Sequence, residues 1–188
     1  MSTMRTRAMR KFVASDRARD GKLYVSAVFD CFDSSVIGLT TDTNMKAPLC
    51  VKTLEHTVKA YPGIREAIIH NDRGNQYTRQ LYRDAVQKYG IKQSMNSSGG
   101  RCHDNTRCES MWARMKSEVL YGRYDTEKMT MDELRMIIWR YFISYWNNRR
   151  ICSTNGGLPP MLKDRKNLYI YKDFLGILAY DIVERFSV

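Results

Sequence analysis

In the segment Glu66-Ala-Ile-Ile-His70-Asn-Asp72-Arg-Gly74, a short apolar run passes directly into a polar turn. Short apolar runs bounded by turn signals are typical of strands buried on both faces of a sheet. Asn, Asp and Gly favour the turn that follows. In open α/β sheets, ligand sites gather where such strands end. The segment therefore predicts a buried strand that presents Asp72 at a candidate site.

The flanking sequence predicts a hairpin and then strands alternating with helices. Lys22–Asp30 is rich in β-branched and aromatic residues, and Val36–Thr41 follows it after the turn-prone Asp33-Ser-Ser. The further elements predicted are a helix at 46–60, strands at 66–70 and 91–95, a flexible loop at 97–100, and helices at 77–89, 106–121 and 130–147. Thr130 to Glu133 forms a capping box for the last helix. This order predicts an α/β fold with a sheet of mixed direction.

The length of 188 residues favours one domain. Residues 1–20 are basic and lack a hydrophobic period, so we expect a basic arm or a degenerate first element there. Residues 21–160 form the predicted core. Residues 161–188 are rich in Tyr, Leu and Ile, and are expected to be a C-terminal extension whose role stays open.

The charge points to a polyanionic partner. Lys and Arg number 31 against 20 Asp and Glu, which gives a net charge of +11. Nucleic acid is the commonest partner of such a chain, and a basic protein without one is the alternative. Five scattered cysteines without a CxxC pair favour reduced thiols in a cytoplasm over disulfides or a zinc site. Neither a membrane span nor a signal peptide is expected, since no long apolar run occurs.

Asp72 and Glu109 are the candidate catalytic and metal-binding residues. Phosphoryl-transfer enzymes with two metal ions need carboxylates that converge from separate elements, and Mg²⁺ takes oxygen ligands. Glu109 lies in the first turn of the helix predicted at 106–121. Each residue has a structural alternative. Asp72 can cap its own turn, and Glu109 can close a capping box with Thr106.

Four basic residues are candidate DNA contacts. Lys116 follows Glu109 by seven residues. At about 100° per residue, both are expected on nearly the same side of the helix. A cation there could hold a phosphate beside a metal-bound carboxylate. Arg73 adjoins Asp72, and Arg149 and Arg150 end the last helix, where simple solvent exposure is the alternative.

Several consecutive segments resemble DDE-type insertion-sequence transposases of the IS3 group. His70–Thr78 resembles the HSDRGSQYT segment around the family's second catalytic aspartate. Cys102–Glu109 is similar to the CYDNAxxE element that supplies the glutamate. The other similar segments are Tyr89–Met95 (YGIxQSM), Lys22–Asp30 and Val36–Gly38 (second and third strands), and Trp146–Ile151 with Gly156 and Leu158–Pro160 (YNxxRxHxxLGxxxP). The likeness covers about residues 20–160.

The resemblance implies an RNase H-like, retroviral integrase-like fold with a mixed sheet and flanking helices. It implies that Asp, Asp and Glu bind two Mg²⁺ or Mn²⁺ ions and promote attack of water, then of a 3′-hydroxyl, on DNA. Asp72 takes the second acidic role and Glu109 the third, with 36 residues (73–108) between them.

The partners implied are DNA, as insertion-element ends and target, and further copies of the chain on that DNA. A separate helix-turn-helix protein is a further expected partner, because the core is expected to be N-terminally truncated. The expected localisation is cytoplasmic and nucleoid-associated.

The chain departs from the family at the first aspartate. Counting nine residues back from Gly21 gives Phe12 where the family has Asp. The nearest acids, Asp16, Asp20 and Asp30, stand in other positions, and Cys152 replaces the tail histidine. A two-metal site that lacks one ligand is expected to be severely impaired. Two functions stay open: a weak or inactive transposase core, or a catalytically dead remnant that still binds nucleic acid.

Overall fold

The computed structural model describes residues 8–95 and 106–165, without the side chains of 12–13, 106–108 and 164–165. Its strands are β1 (Ala8–Ala18), β2 (Gly21–Asp30), β3 (Val36–Asp42), β4 (Ile68–Asn71) and β5 (Lys92–Met95). Its α-helices are α1 (Ala47–Ala60), α2 (Asn75–Thr78), α3 (Gln80–Lys88), α4 (Thr106–Met115), α5 (Met131–Trp139) and α6 (Pro160–Arg165). Two π-helical segments, Lys116–Leu120 and Arg140–Trp146, continue α4 and α5.

The strands form one sheet in the order β3-β2-β1-β4-β5. The pairs β1/β2 and β2/β3 are antiparallel, whereas β1/β4 and β4/β5 are parallel. The hairpin of β2 and β3 and the mixed strand directions are confirmed. Parallel neighbours need a crossover connection, and α2 and α3 supply the one between β4 and β5. Helix α1 lies in the connection from β3 to β4, which are not neighbours in the sheet.

Strand β1 occupies the centre of the sheet. It pairs with β2 from Met9 opposite Asp30 to Ala18 opposite Gly21, and its first residues also pair with β4. Residues 1–20 were expected to form a basic arm or a degenerate first element, and Ala8–Ala18 of this segment form a strand of the sheet. Hydrogen-bonded ladders on both sides override the weak strand propensity of this charged sequence. Residues 1–7 lie outside the described part.

Helices cover both faces of the sheet. On one face α4, α5 and their π-helical continuations pack on alternate side chains of β2; this cluster includes Leu23, Val25, Ala27, Phe29, Met111, Met115, Leu134, Ile138 and Phe142. On the other face α1 and α3 pack over the sheet; this cluster includes Met9, Val28, Cys50, Leu54, Ile69, Tyr77 and Tyr82. The fold is thus a three-layer α/β/α arrangement with two cores.

Several predicted boundaries differ from the structure. The helix predicted at 77–89 is broken at Arg79, which has an extended backbone with φ −65° and ψ 143°. The helices predicted at 106–121 and 130–147 change to π-helix after Met115 and Trp139. Strand β4 starts at Ile68, because Glu66 takes a positive φ of 69° and ends the extended run. The predicted loop at 97–100 lies outside the described residues.

The capping box at the start of α5 is confirmed. The Glu133 N–H donates to Thr130 Oγ1 at 3.2 Å, and the Thr130 N–H donates to Glu133 Oε2 at 2.8 Å. The hydrogen bonds from the backbone and the side chain of Thr130 lower the pKa of Glu133 below its ordinary value. In the segments the structure describes, no helix is long and apolar enough to cross a membrane.

Candidate catalytic site

Asp72 lies where the sequence predicts it, directly after the last residue of β4. Its side chain is half-buried, and its Oδ1 accepts a hydrogen bond from the Gly74 N–H at 2.8 Å. A Cβ at Gly74 would lie 2.8 Å from Asp72 Oδ1 and 2.5 Å from Gln76 Nε2, so a larger residue there would displace the ends of these two side chains. Asp72 therefore does cap its own turn, and that geometry holds the carboxylate at the end of the strand.

Position 12 lies on the strand that neighbours β4. Strand β1 pairs in parallel with β4 from Ala8 opposite Ile68 to Arg10 opposite His70, where the ladder ends. Phe12 lies two residues further along β1, and Asp72 two residues beyond His70, directly after β4. The backbone of Phe12 is also paired with Ala27 of β2. Counting back from Gly21 therefore leads to a position on the strand beside the one that Asp72 follows.

Helix α4, which carries Glu109, packs on the same strand. Glu109 lies in the first turn of α4 and is exposed, and α4 contacts β1 directly. Asp72 and Glu109 are therefore placed by β4 and α4, two elements that both pack on β1. The capping alternative for Glu109 involves Thr106, whose side chain lies outside the description.

The three acids nearest to the first-aspartate position each have a local role. Asp16 forms an ion pair with Lys116, with 3.2 Å between Oδ2 and Nζ. Asp20 accepts from the Met131 N–H at 2.7 Å at the start of α5. Asp30 is 1% exposed and accepts from the Phe32 N–H at 2.8 Å. None of them stands at the position that the family gives to an acid, which carries Phe12.

The donor set only partly fits a two-metal site. Asp72 and Glu109 offer the carboxylate oxygens that Mg²⁺ and Mn²⁺ prefer. Within 8–95 and 106–165, no group of three His, Cys, Asp or Glu side chains is placed to hold a metal ion. Asp72 and Glu109 are thus the residues that would hold a divalent ion. Together they supply one carboxylate fewer than the family's set of three.

Lys116, a candidate DNA contact, is engaged within the fold. Besides the ion pair to Asp16, its Nζ lies 5.9 Å from the centre of the Trp112 ring. Its side chain is 22% exposed, so a phosphate would have to compete with Asp16. Arg73, next to Asp72, is exposed. Arg149, which follows the last π-helical segment, is also exposed.

Arg150 forms a half-buried ion pair with Glu118. Arg150 Nη2 donates to Glu118 Oε1 at 2.9 Å, and the Tyr141 hydroxyl donates to Oε2 at 2.7 Å. The guanidinium also lies 4.7 Å from the centre of the Trp146 ring. Burial would raise the pKa of Glu118, but the hydrogen bonds from Arg150 and Tyr141 outweigh it and lower that pKa. Burial and the bond to Glu118 raise the pKa of Tyr141.

The segment after α5 ties the chain to the β2–β3 hairpin. Asn147 accepts from the Val36 N–H at 2.8 Å and donates to the Val36 carbonyl at 2.9 Å, as a strand neighbour would. Asn155 donates to the Asp33 carbonyl at 2.7 Å. Both amides are buried. These structural roles are not visible in the sequence, because the partners are more than a hundred residues apart.

A cleft of about 610 Å³ opens beside α4. Its lining includes three arginines, Arg10 of β1, Arg114 of α4 and Arg150. Ser110, the residue after Glu109, also lines it, so the cleft adjoins the candidate site. Asp30 is an acid of the lining. This cationic cleft is a surface beside Glu109 where a phosphate can be held.

Known proteins share both the sequence pattern and the fold. Residues 11–100 and 89–160 match two family models, each described as an integrase core domain. The chain is 33% identical over 142 residues to the probable transposase of IS1353 from Shigella flexneri, covering 75% of this chain and 27% of that protein. It is 31% identical over 152 residues to transposase InsF of IS3A from Escherichia coli K12, covering 81% of this chain and 51% of InsF. The chain thus spans about half, or less, of these relatives.

Two solved structures share the fold. The HTLV-2 integrase catalytic core domain in complex with magnesium has a TM-score of 0.54 at 12% identity, over 83% of this chain and 93% of that one. The catalytic domain of Mos1 mariner transposase has a TM-score of 0.58 at 12% identity, over 76% and 72%. The expected RNase H-like fold is confirmed. The chain belongs to the integrase core domain family and is an IS3-type DDE transposase catalytic core.

Proposed function

We propose that this chain belongs to a machinery for metal-dependent DNA strand cleavage and strand transfer, with Asp72 and Glu109 as its remaining catalytic carboxylates. The observation that supports the proposal is the parallel pairing of β1 with β4, the strand that Asp72 directly follows, together with the packing of α4 on β1. Phe12 at the first-aspartate position leaves the site without its first acid, so the chain as encoded has weak or no activity. The magnesium complex of the HTLV-2 core and the transposase relatives support the choice of metal and substrate.

The residues around the site have distinct proposed tasks. Gly74 keeps the Asp72 carboxylate close to its turn. Glu109 presents a second carboxylate from the exposed first turn of α4. A divalent ion, when bound, supplies charge stabilisation to the attacking or leaving oxygen of a phosphodiester. The arginine-lined cleft and Arg73 hold DNA phosphates without reading sequence.

The proposed partners follow from the same site. The net charge of +11 supports DNA as the partner, in the form of element ends and target. The proposal also includes two further partners. They are additional copies of the chain on that DNA and a separate helix-turn-helix protein that recognises the element ends. The second candidate, a dead remnant that still binds DNA, is favoured by one observation, the Phe at position 12.

Manganese binding separates the two candidates. We expect Mn²⁺ to bind weakly, as followed by calorimetry, and Asp72→Asn and Glu109→Gln each to abolish that binding. Asp84→Asn and Glu55→Gln change exposed helix residues and serve as matched controls. A chain that binds no Mn²⁺, yet binds duplex DNA with an affinity that falls steeply with salt, is the remnant. Absence of both activities overturns both candidates.

A further inference from the structure

A groove of about 650 Å³ lies between the continuations of α4 and α5, on a part of the molecule not assigned above. Its walls are the two π-helical segments, which contribute Ser117–Val119 on one side and Arg140, Tyr141 and Tyr145 on the other. Arg123, Tyr124 and Ile137 complete the lining. Ser117 follows Glu109 by eight residues, which is on the order of 12 Å along a helix axis. The groove is therefore separate from the candidate carboxylate site.

The side chains of the groove combine aromatic faces with cations. Tyr124 and Tyr145 are 47% and 43% exposed, so each offers a ring to a ligand. Tyr145 is held against Tyr141, with 5.6 Å between the ring centres. Arg123 and Arg140 are exposed, and neither forms an ion pair within the described segments.

Among the described residues of the groove lining, Glu118 is the one acid, and it is already neutralised. Glu118 accepts from Arg150 and from the Tyr141 hydroxyl, at 2.9 and 2.7 Å. These bonds keep its pKa below the ordinary value despite partial burial. The field at the groove is therefore set by Arg123 and Arg140. Such a surface attracts an anion that also carries flat apolar faces.

The backbone supports a binding role. A π-helical turn is rare, and such turns are frequent at functional sites. Here two of them face each other across one groove. The wider turn leaves carbonyl groups without their ordinary i+4 partners and changes the direction of the side chains that follow. Both walls carry this change where they line the groove.

We propose that this groove binds a single strand of nucleic acid, with bases stacked on Tyr124 and Tyr145 and phosphates held by Arg123 and Arg140. Aromatic rings with interspersed arginines are the usual surface for unpaired bases. Duplex DNA hides its base faces in the stack, so it cannot use the two rings in this way. The inference rests on the proposed function in one respect, namely that the ligand is a strand of the same nucleic acid.

The test compares single-stranded and duplex probes on the full chain. The probes are a fluorescein-labelled oligo(dT) of about 12 nucleotides and a labelled duplex of mixed sequence, followed by fluorescence anisotropy. We expect the double variant Tyr124→Ala/Tyr145→Ala to weaken oligo(dT) binding on the order of tenfold, with duplex affinity unchanged. Tyr124→Phe keeps the ring and is expected to keep the affinity. Tyr121→Ala removes a more exposed tyrosine outside the groove and is the matched control.

Each outcome decides the inference. Unchanged oligo(dT) affinity in the double variant, or no oligo(dT) binding by the unaltered chain, overturns it. A loss of self-association in sedimentation, without a loss of strand binding, assigns the groove to a second copy of the chain and also overturns it. Failure of the proposed function has a different signature, since duplex binding and Mn²⁺ binding are then absent in every variant.

Discussion

Lys11 donates a hydrogen bond from its buried Nζ to the backbone carbonyl of Cys50, across the space between β1 and α1. The side chain is 1% exposed and lies over the rings of Tyr82 and Tyr77, at 4.9 and 6.0 Å from their centres. Burial lowers the pKa of Lys11 from 10.5 to about 7. An amine that loses its proton near pH 7 is thus held in the core immediately before position 12, with a carbonyl and two aromatic faces around it.

Lys11→Met is expected to stabilise the fold and to remove a pH dependence. Between pH 7 and 10.5 the unfolded chain holds a proton that the folded chain releases. Stability therefore rises with pH through this window and is lowest below about pH 7. From pH 7 to 8.5, Cys50 and the buried tyrosines are still protonated in both states. Over this range we expect the free energy of unfolding of the unaltered chain to rise by about 1–2 kcal/mol.

Urea unfolding at several pH values measures the Lys11 effect. The Lys11→Met midpoint should be higher than that of the unaltered chain at pH 7 and should change little up to pH 8.5. Lys52→Met, an exposed change on α1, is the control. A Lys11→Met chain that is less stable at pH 7 would show that the hydrogen bond and ring contacts outweigh the cost of burial.

Arg150→Ala is expected to lower stability by about 1–2 kcal/mol, a modest value because the pair with Glu118 is partly screened by solvent. The ordinary pKa of Glu118 is 4.5 and the folded value is lower. The contribution of the pair is therefore present above pH 4.5 and is lost as the pH falls below it. Thermal melting at pH 7 and pH 4 measures this, with Arg149→Ala as an exposed control. An unchanged melting temperature together with weaker duplex binding would instead make Arg150 a DNA contact.

Gly38→Ala is expected to destabilise the contact between β3 and α1. An added Cβ would lie 2.0 Å from Thr57 Oγ1, on a helix packed closely against the strand. Overpacking of this kind costs about 1–3 kcal/mol. In urea unfolding, Gly38→Ala/Thr57→Ala should recover part of the loss. Gly63→Ala, where a Cβ meets nothing within 4 Å, is the control. Equal losses in the single and double variants would contradict this explanation.

The elements that the sequence predicts best are those with strong local signals. The β2–β3 hairpin, α1 and the capped start of α5 follow from alternation, helical spacing and the Thr130–Glu133 box. Strand β1 was not predicted, because its charged side chains hide the strand pattern. In the structure two of these side chains have partners of their own: Lys11 donates to a backbone carbonyl in the core, and Asp16 forms an ion pair. Only the paired neighbours make that segment a strand.

The candidate site was predictable in position but not in its surroundings. Asp72 follows from the turn after a buried strand, and Glu109 from its helix start. The roles of Arg150 and Asn147 depend on partners 32 and 111 residues away, which no local pattern reveals. The π-helical turns were likewise not predicted, because the sequence there has ordinary helical spacing.

Cleavage of DNA by the Phe12→Asp variant tests the central claim most directly. A labelled duplex carrying an insertion-element end is incubated with Mn²⁺ and one of four chains, after thermal melting has shown that each is folded. The chains are the unaltered one, Asp72→Asn, Phe12→Asp and Phe12→Asp/Asp72→Asn. The account predicts no cleavage by the unaltered chain, metal-dependent 3′-end cleavage by Phe12→Asp, and none when Asp72 is also replaced. Cleavage by the unaltered chain that Asp72→Asn abolishes would contradict the account, because another acid would then complete the site.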